Sequence, residues 1–212
     1  MEASIRYLRI LKVQIKLSLL VNLLVAIFIL AITPLLFGIK YLDPIASSKV
    51  LERFISLIGI ILITPIFLPE QDKNIAEIVE SKYTSHIRTY LLRFFISIIA
   101  VFILISGFVA IMVFGSCEFN IPKYIIGTFL TAFFLGTLGA ITYGFSDNII
   151  TGYLIPLIFY IWNMFSSSKE VKNLYLFSLV NDSFSEKYWL LGFGALFIIV
   201  VIFYKWFVIR IR

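Results

Sequence analysis

The chain has 212 residues, of which 61% are hydrophobic, 17% aromatic and only 14% charged, and its mean hydropathy is +1.02. That balance excludes an ordinary water-soluble domain. The net charge of +6 reads as membrane orientation rather than as a nucleic-acid surface, because the cations flank apolar runs.

The opening stretch, MEASIRYLRILKVQIK, sets Arg6, Arg9, Lys12 and Lys16 on one side of a helix and Leu8, Leu11 and Ile15 on another. Residues 1–16 therefore read as an amphipathic helix lying in the membrane surface, or as a basic flank that fixes topology. No small-residue cleavage site closes the first apolar run, so a signal peptide is not expected. About six runs are long enough to cross ~30 Å of hydrocarbon: 17–38, 53–69, 92–114, 122–145, 148–165 and 188–206. The predicted fold is an all-α integral membrane domain covering residues 1–212, with Pro65 and Pro156 kinking the second and fifth spans.

With the N-terminus inside, the cytoplasmic segments carry the four cations above with Lys73, Lys82, Arg88, Arg93, Lys205, Arg210 and Arg212. Lys40, Lys49, Arg53, Lys123, Lys169, Lys172 and Lys187 fall outside. The bias puts both termini in the cytoplasm. Cys117 falls in an outer loop and has no second cysteine to pair with.

Between spans two and three, a polar stretch interrupts the apolar pattern. Asn74 followed by Glu77 forms a capping-box spacing, and Ile75, Ile78 and Val79 make an apolar stripe at helical spacing, with Glu77 and Glu80 beside it. Thr84 and Ser85 can cap a second helix that runs through His86, Arg88 and Arg93 into span three. A plain solvated loop explains the charge but not the caps or the stripe.

The spans carry no Asp, Glu, Lys or Arg near their centres, so they read as neutral. Asn22 and Asn163 are the most polar side chains well inside them; each suits a helix–helix hydrogen bond or a substrate contact. In span four, Gly127, Gly136, Gly139 and Ala140, with Thr128, Thr131 and Thr137, mark close helix approach. No phosphate-binding glycine loop and no paired histidine–glutamate motif occurs, and His86 is the only histidine. The chain is therefore not expected to be an enzyme or to hold a metal.

The polar stretch resembles the cytoplasmic region after the second span in type 2 ABC transporter permeases, whose usual pattern is roughly E-x-E-x-G-T-x-E-x-L-x-[ST]-x-P-[VI]-[ST]. Glu70, Asp72 and Glu77 fall on its acidic positions, Ile78 and Val79 on the aliphatic pair, Ser81, Thr84 and Ser85 on the small polar ones, and Arg93 on a basic position at span three. Asn74, Ile75, Tyr83 and Leu92 depart from the glycine, threonine, proline and glycine common there. The sequence match covers about 25 residues, and the layout of surface helix, six spans and internal ends extends it. The resemblance implies that residues 70–91 hold a coupling helix docked in a separate cytoplasmic ATP-binding subunit, which binds the ATP and magnesium. Ile75, Ile78 and Val79 would anchor it, Glu70, Glu77, Glu80, Lys82, Thr84 and Ser85 would complete the interface, and Arg88 and Arg93 would hold span three at the headgroups. It also implies a second protomer, identical or related, and a re-entrant outer segment over residues 166–187. There Leu174, Leu176, Phe177, Leu179 and Val180 would be its apolar part, turned by Asn181-Asp182, and Phe177 would belong to an outer gate. An ordinary outer loop is the other reading.

The expected function is thus the permease subunit of an ATP-driven exporter in a bacterial plasma membrane, moving a hydrophobic or amphipathic cargo such as an antimicrobial peptide, a lipid-like molecule or a drug. A membrane immunity protein that sequesters a partner is the alternative, and a passive channel or secondary transporter the third.

Overall fold

The structure, a computed structural model, describes residues 20–71 and 86–211. Its helices are α1 (Leu20–Phe37), α2 (Pro44–Arg53), α3 (Ile58–Ile63), α4 (His86–Phe114), α5 (Ile121–Ser146), α6 (Ile149–Phe165), α7 (Ser168–Val171) and α8 (Ser185–Ile211). Tighter 3₁₀ turns at Ile55–Leu57 and Thr64–Gln71 extend α2 and α3 into one rod. No strand occurs among the described residues. Among the described residues, five helical stretches are long and apolar enough to cross a membrane: Leu20–Phe37, Pro44–Leu68, Thr89–Phe114, Ile121–Ser146 and Ser185–Val208. The sixth apolar helix, α6, is shorter at 17 residues. The expected surface helix over 1–16 lies outside the described residues, as does most of the expected coupling region.

Helix α5 is the axis of the bundle because its glycines let neighbouring backbones touch. A Cβ on Gly59 would lie 1.9 Å from the Ala132 carbonyl oxygen, and one on Gly136 would lie 2.5 Å from the Gly59 carbonyl oxygen. Further along, a Cβ on Gly139 would lie 2.1 Å from Thr64 Oγ1. The Tyr124 hydroxyl donates to the Pro44 carbonyl at 3.0 Å. Residue numbers thus rise together, so the Pro44–Leu68 rod runs parallel to α5. On the other side α8 also runs parallel: Gly194 faces Phe133, Gly144 faces Val201, and Lys205 pairs with Asp147. Helix α6 runs antiparallel, with Gly152 against Tyr143. This is the close packing of small residues that span four was expected to provide.

Hydrogen bonds tie two loops together at one end. Tyr41 N–H donates to the Gly115 carbonyl at 2.9 Å, and Glu118 N–H to the Leu42 carbonyl at 3.3 Å. The helices alternate from there, so residues 20, 71, 86, 147 and 211 lie at the opposite, far end of the bundle. Pro65 does kink its rod, with φ −83° and ψ 23°.

Two boundaries differ from expectation, and both matter. The second span does not begin at residue 53: α2 starts at Pro44, where the Asp43 side chain accepts from Ala46 N–H at 3.0 Å and proline at the first position sets the helical φ. The last helix begins at Ser185 rather than 188. Glu52, Arg53 and Lys187, expected in outer loops or at their edge, therefore belong to the helices, and the expectation of neutral spans is corrected.

Candidate functional site

Glu52 on α2 and Lys187 on α8 are both fully buried and form an ion pair through Glu52 Oε1. Lys187 places its other two donors on Thr131 Oγ1 and the Leu176 carbonyl, each at 2.6 Å. All three ammonium hydrogens are thereby used. Glu52 Oε1 also accepts from Leu179 N–H at 3.3 Å, while Oε2 has no partner among the described residues. An unpaired charge at such a place costs several kcal/mol, so each member requires the other.

The pair holds down the chain between α6 and α8. Lys123 near the start of α5 binds the Asp182 carboxylate at 2.6 Å, Gly127 faces Leu179, and Thr131 meets the Leu176 carbonyl at 3.3 Å. The segment therefore runs antiparallel to α5, and from Lys123 to Thr131 it descends about 12 Å at ~1.5 Å per residue. Its short helical turns, Lys172–Leu174 and Ser178–Asn181, end where Asp182 takes a left-handed conformation at φ 56°. Leu176, Phe177, Ser178 and Leu179 are buried; Leu174 and Val180 are half-buried.

Asn163 is buried on α6, and its Oδ1 accepts from Leu176 N–H at 3.0 Å while Nδ2 donates to the Phe159 carbonyl at 3.3 Å. It thus fastens the segment rather than joining two long helices. Phe177 is core, edge-on to Tyr160 at 5.5 Å and to Tyr175 at 5.9 Å. Half-buried Arg53 sits with its guanidinium carbon 5.6 Å from the centre of the Phe177 ring. Burial raises the Tyr175 phenol above its ordinary value and positive Arg53 opposes the rise, which sets the guanidinium close to that ring as well.

No family model, curated protein or solved structure matches this chain. Its reading rests on its own residues.

Of the residues expected at a partner interface, Ile75, Glu77, Ile78, Val79, Glu80, Lys82, Thr84 and Ser85 lie outside the described residues, as do Arg6, Arg9, Lys12 and Lys16. Glu70 and Arg88 have helical backbone at the far end. Arg93, expected at the headgroups, is instead 5% exposed and donates to the Ile66 carbonyl at 3.1 Å. Pro69 lies three residues on and has no N–H to offer that carbonyl in a 3₁₀ turn, and Arg93 supplies the donor. Asn22 is half-buried on α1, away from the charge pair. Sequence reasoning missed Glu52 and Lys187. The signals that could have found them are the Asp43-Pro44 helix start and the Ser183–Glu186 spacing before α8, where the two side chains bond at 2.5 Å.

Proposed function

We propose that this chain is the membrane-spanning subunit of an ATP-driven exporter in a bacterial plasma membrane, working with a separate cytoplasmic ATPase and a second permease protomer. The observation that carries the reading is mechanical. The polar insertion between spans two and three joins two helices that are each fixed to the core: the rod before it meets α5 backbone-to-backbone at Gly59 and Gly136, and α4 after it is tied to that rod by Arg93. A force applied to the insertion reaches the buried charge pair, and through it the inward-folded segment at the opposite end. That segment, entering the outer leaflet, is the outer gate in this reading. The ATP and magnesium belong to the partner, and the cargo is hydrophobic or amphipathic.

The test is copurification with an ATP-binding cassette subunit, sought first among the proteins encoded by neighbouring genes. The native chain should retain that subunit and raise its ATPase activity, and Ile78→Asp with Val79→Asp should release it. Retention by the double variant would refute the docking reading. A chain that binds no ATPase yet protects cells against a toxic peptide would be the sequestering protein instead.

A further inference from the structure

We propose that Arg53 is the binding site for the anionic headgroup of a phosphate-bearing amphiphile. Among the described residues the guanidinium has no carboxylate counter-ion: it lies against the Phe177 ring at 5.6 Å with Tyr175 close by, and its Nε is buried without a hydrogen-bond partner. Glu52, the adjacent carboxylate, is committed to Lys187 and to Leu179 N–H. Glu186, the other acid near Lys187, is engaged by the Ser183 hydroxyl at 2.5 Å. The trio Glu52, Lys187 and Arg53 therefore carries a net positive charge (−1, +1 and +1) within an apolar bundle.

A charged group at such a depth is costly unless it finds a counter-charge. Arginine retains its charge at any ordinary pH and presents a planar fork suited to phosphate. Its stem tilts toward the start of its helix, the loop-paired end, where the headgroups of one leaflet lie whichever way the bundle faces. Phe177 and Tyr160 are anchored beneath it: the Tyr160 hydroxyl donates to the Arg53 carbonyl at 2.5 Å. The fork is thus presented from a fixed floor, half-open to whatever lies beyond the bundle, with hydrocarbon around it to accept the tails.

The site does not depend on the exporter reading, and the experiment keeps the two apart. The native chain, purified in a neutral maltoside detergent, is titrated with fluorescent phosphatidylglycerol, with unlabelled phosphatidylglycerol, phosphatidylcholine and inorganic phosphate as competitors. Phosphatidylglycerol should bind, and Arg53→Met should weaken it about tenfold or more, the size of one or two hydrogen bonds to a charged group. Competition by inorganic phosphate alone would assign the site to a free anion, whereas competition needing an acidic lipid assigns it to the headgroup. Arg53→Gln gives the same reading should Arg53→Met fail to accumulate. Equal affinity of native and variant chains, or equal competition by phosphatidylcholine and phosphatidylglycerol, would overturn the proposal. Loss of ATPase copurification with lipid binding intact would remove the exporter reading and leave this site standing.

Discussion

Replacing Lys187 by methionine removes the cation but keeps most of the apolar stem. The change leaves the Glu52 carboxylate buried without its cation, held by backbone amides such as that of Leu179 at 3.3 Å, and strips the donor from Thr131 Oγ1 and the Leu176 carbonyl. Breaking a buried pair from one side costs about 3–5 kcal/mol. For a domain of about this size each kcal/mol lowers the melting temperature by about 2–4 °C, so Lys187→Met should melt about 6–20 °C below the native chain. Glu52→Gln should cost a similar amount, because Lys187 then faces a neutral amide. The double variant has no orphaned charge, and its loss should fall short of the summed single losses by about 2 kcal/mol. Thermal unfolding of the detergent-purified chain measures this cycle. A Ser178→Cys probe in a Cys117→Ser background adds a local readout. Its thiol should be protected from water-soluble maleimide in the native chain and exposed in Lys187→Met. Strictly additive losses, or equal labelling, would show that the pair does not hold the segment.

Gly59→Ala and Gly136→Ala should each reduce folded yield severely, since the added methyl would sit 1.9 Å and 2.5 Å from backbone carbonyl oxygens that cannot step aside; Gly107→Ala, with open space at its Cβ, should be neutral or slightly stabilising by helix propensity, and size-exclusion profiles of the three separate the cases. Phe177→Ala should cost about 3–5 kcal/mol in thermal unfolding, because the ring is 1% exposed and supports Tyr160, Tyr175 and Arg53. Asp147→Asn should cost no more than about 1 kcal/mol, since that carboxylate is 73% exposed in its pair with Lys205, and a larger loss would show that the far end is more tightly closed than its geometry.

The apolar helices were legible because spanning length and composition are local properties, and the α5 glycines were legible because small residues have few other uses within an apolar run. What escaped was the polar part. Pro44–Arg53 reads PIASSKVLER, too polar for a hydropathy window, although its Asp43 cap and proline start are explicit helix signals. Glu52 and Lys187 lie 135 residues apart, and no periodicity announces a partner at that separation. A cation at a helix base reads as a surface anchor; Arg93 turns inward, where the Ile66 carbonyl accepts from it and Pro69 has no amide to offer. Asn163 reads as a helix–helix hydrogen-bonding residue, but its partner is an irregular segment whose path no sequence period encodes.

The direct backbone contact between the Pro44–Leu68 rod and α5 has a mechanical consequence. Where carbonyl meets α-carbon there are no soft side chains to absorb strain, so neither helix can slide past the other without parting from it. Over that contact the two are held as one stiff unit, whereas α1, with only Ala26 and Thr33 buried, is held far less tightly.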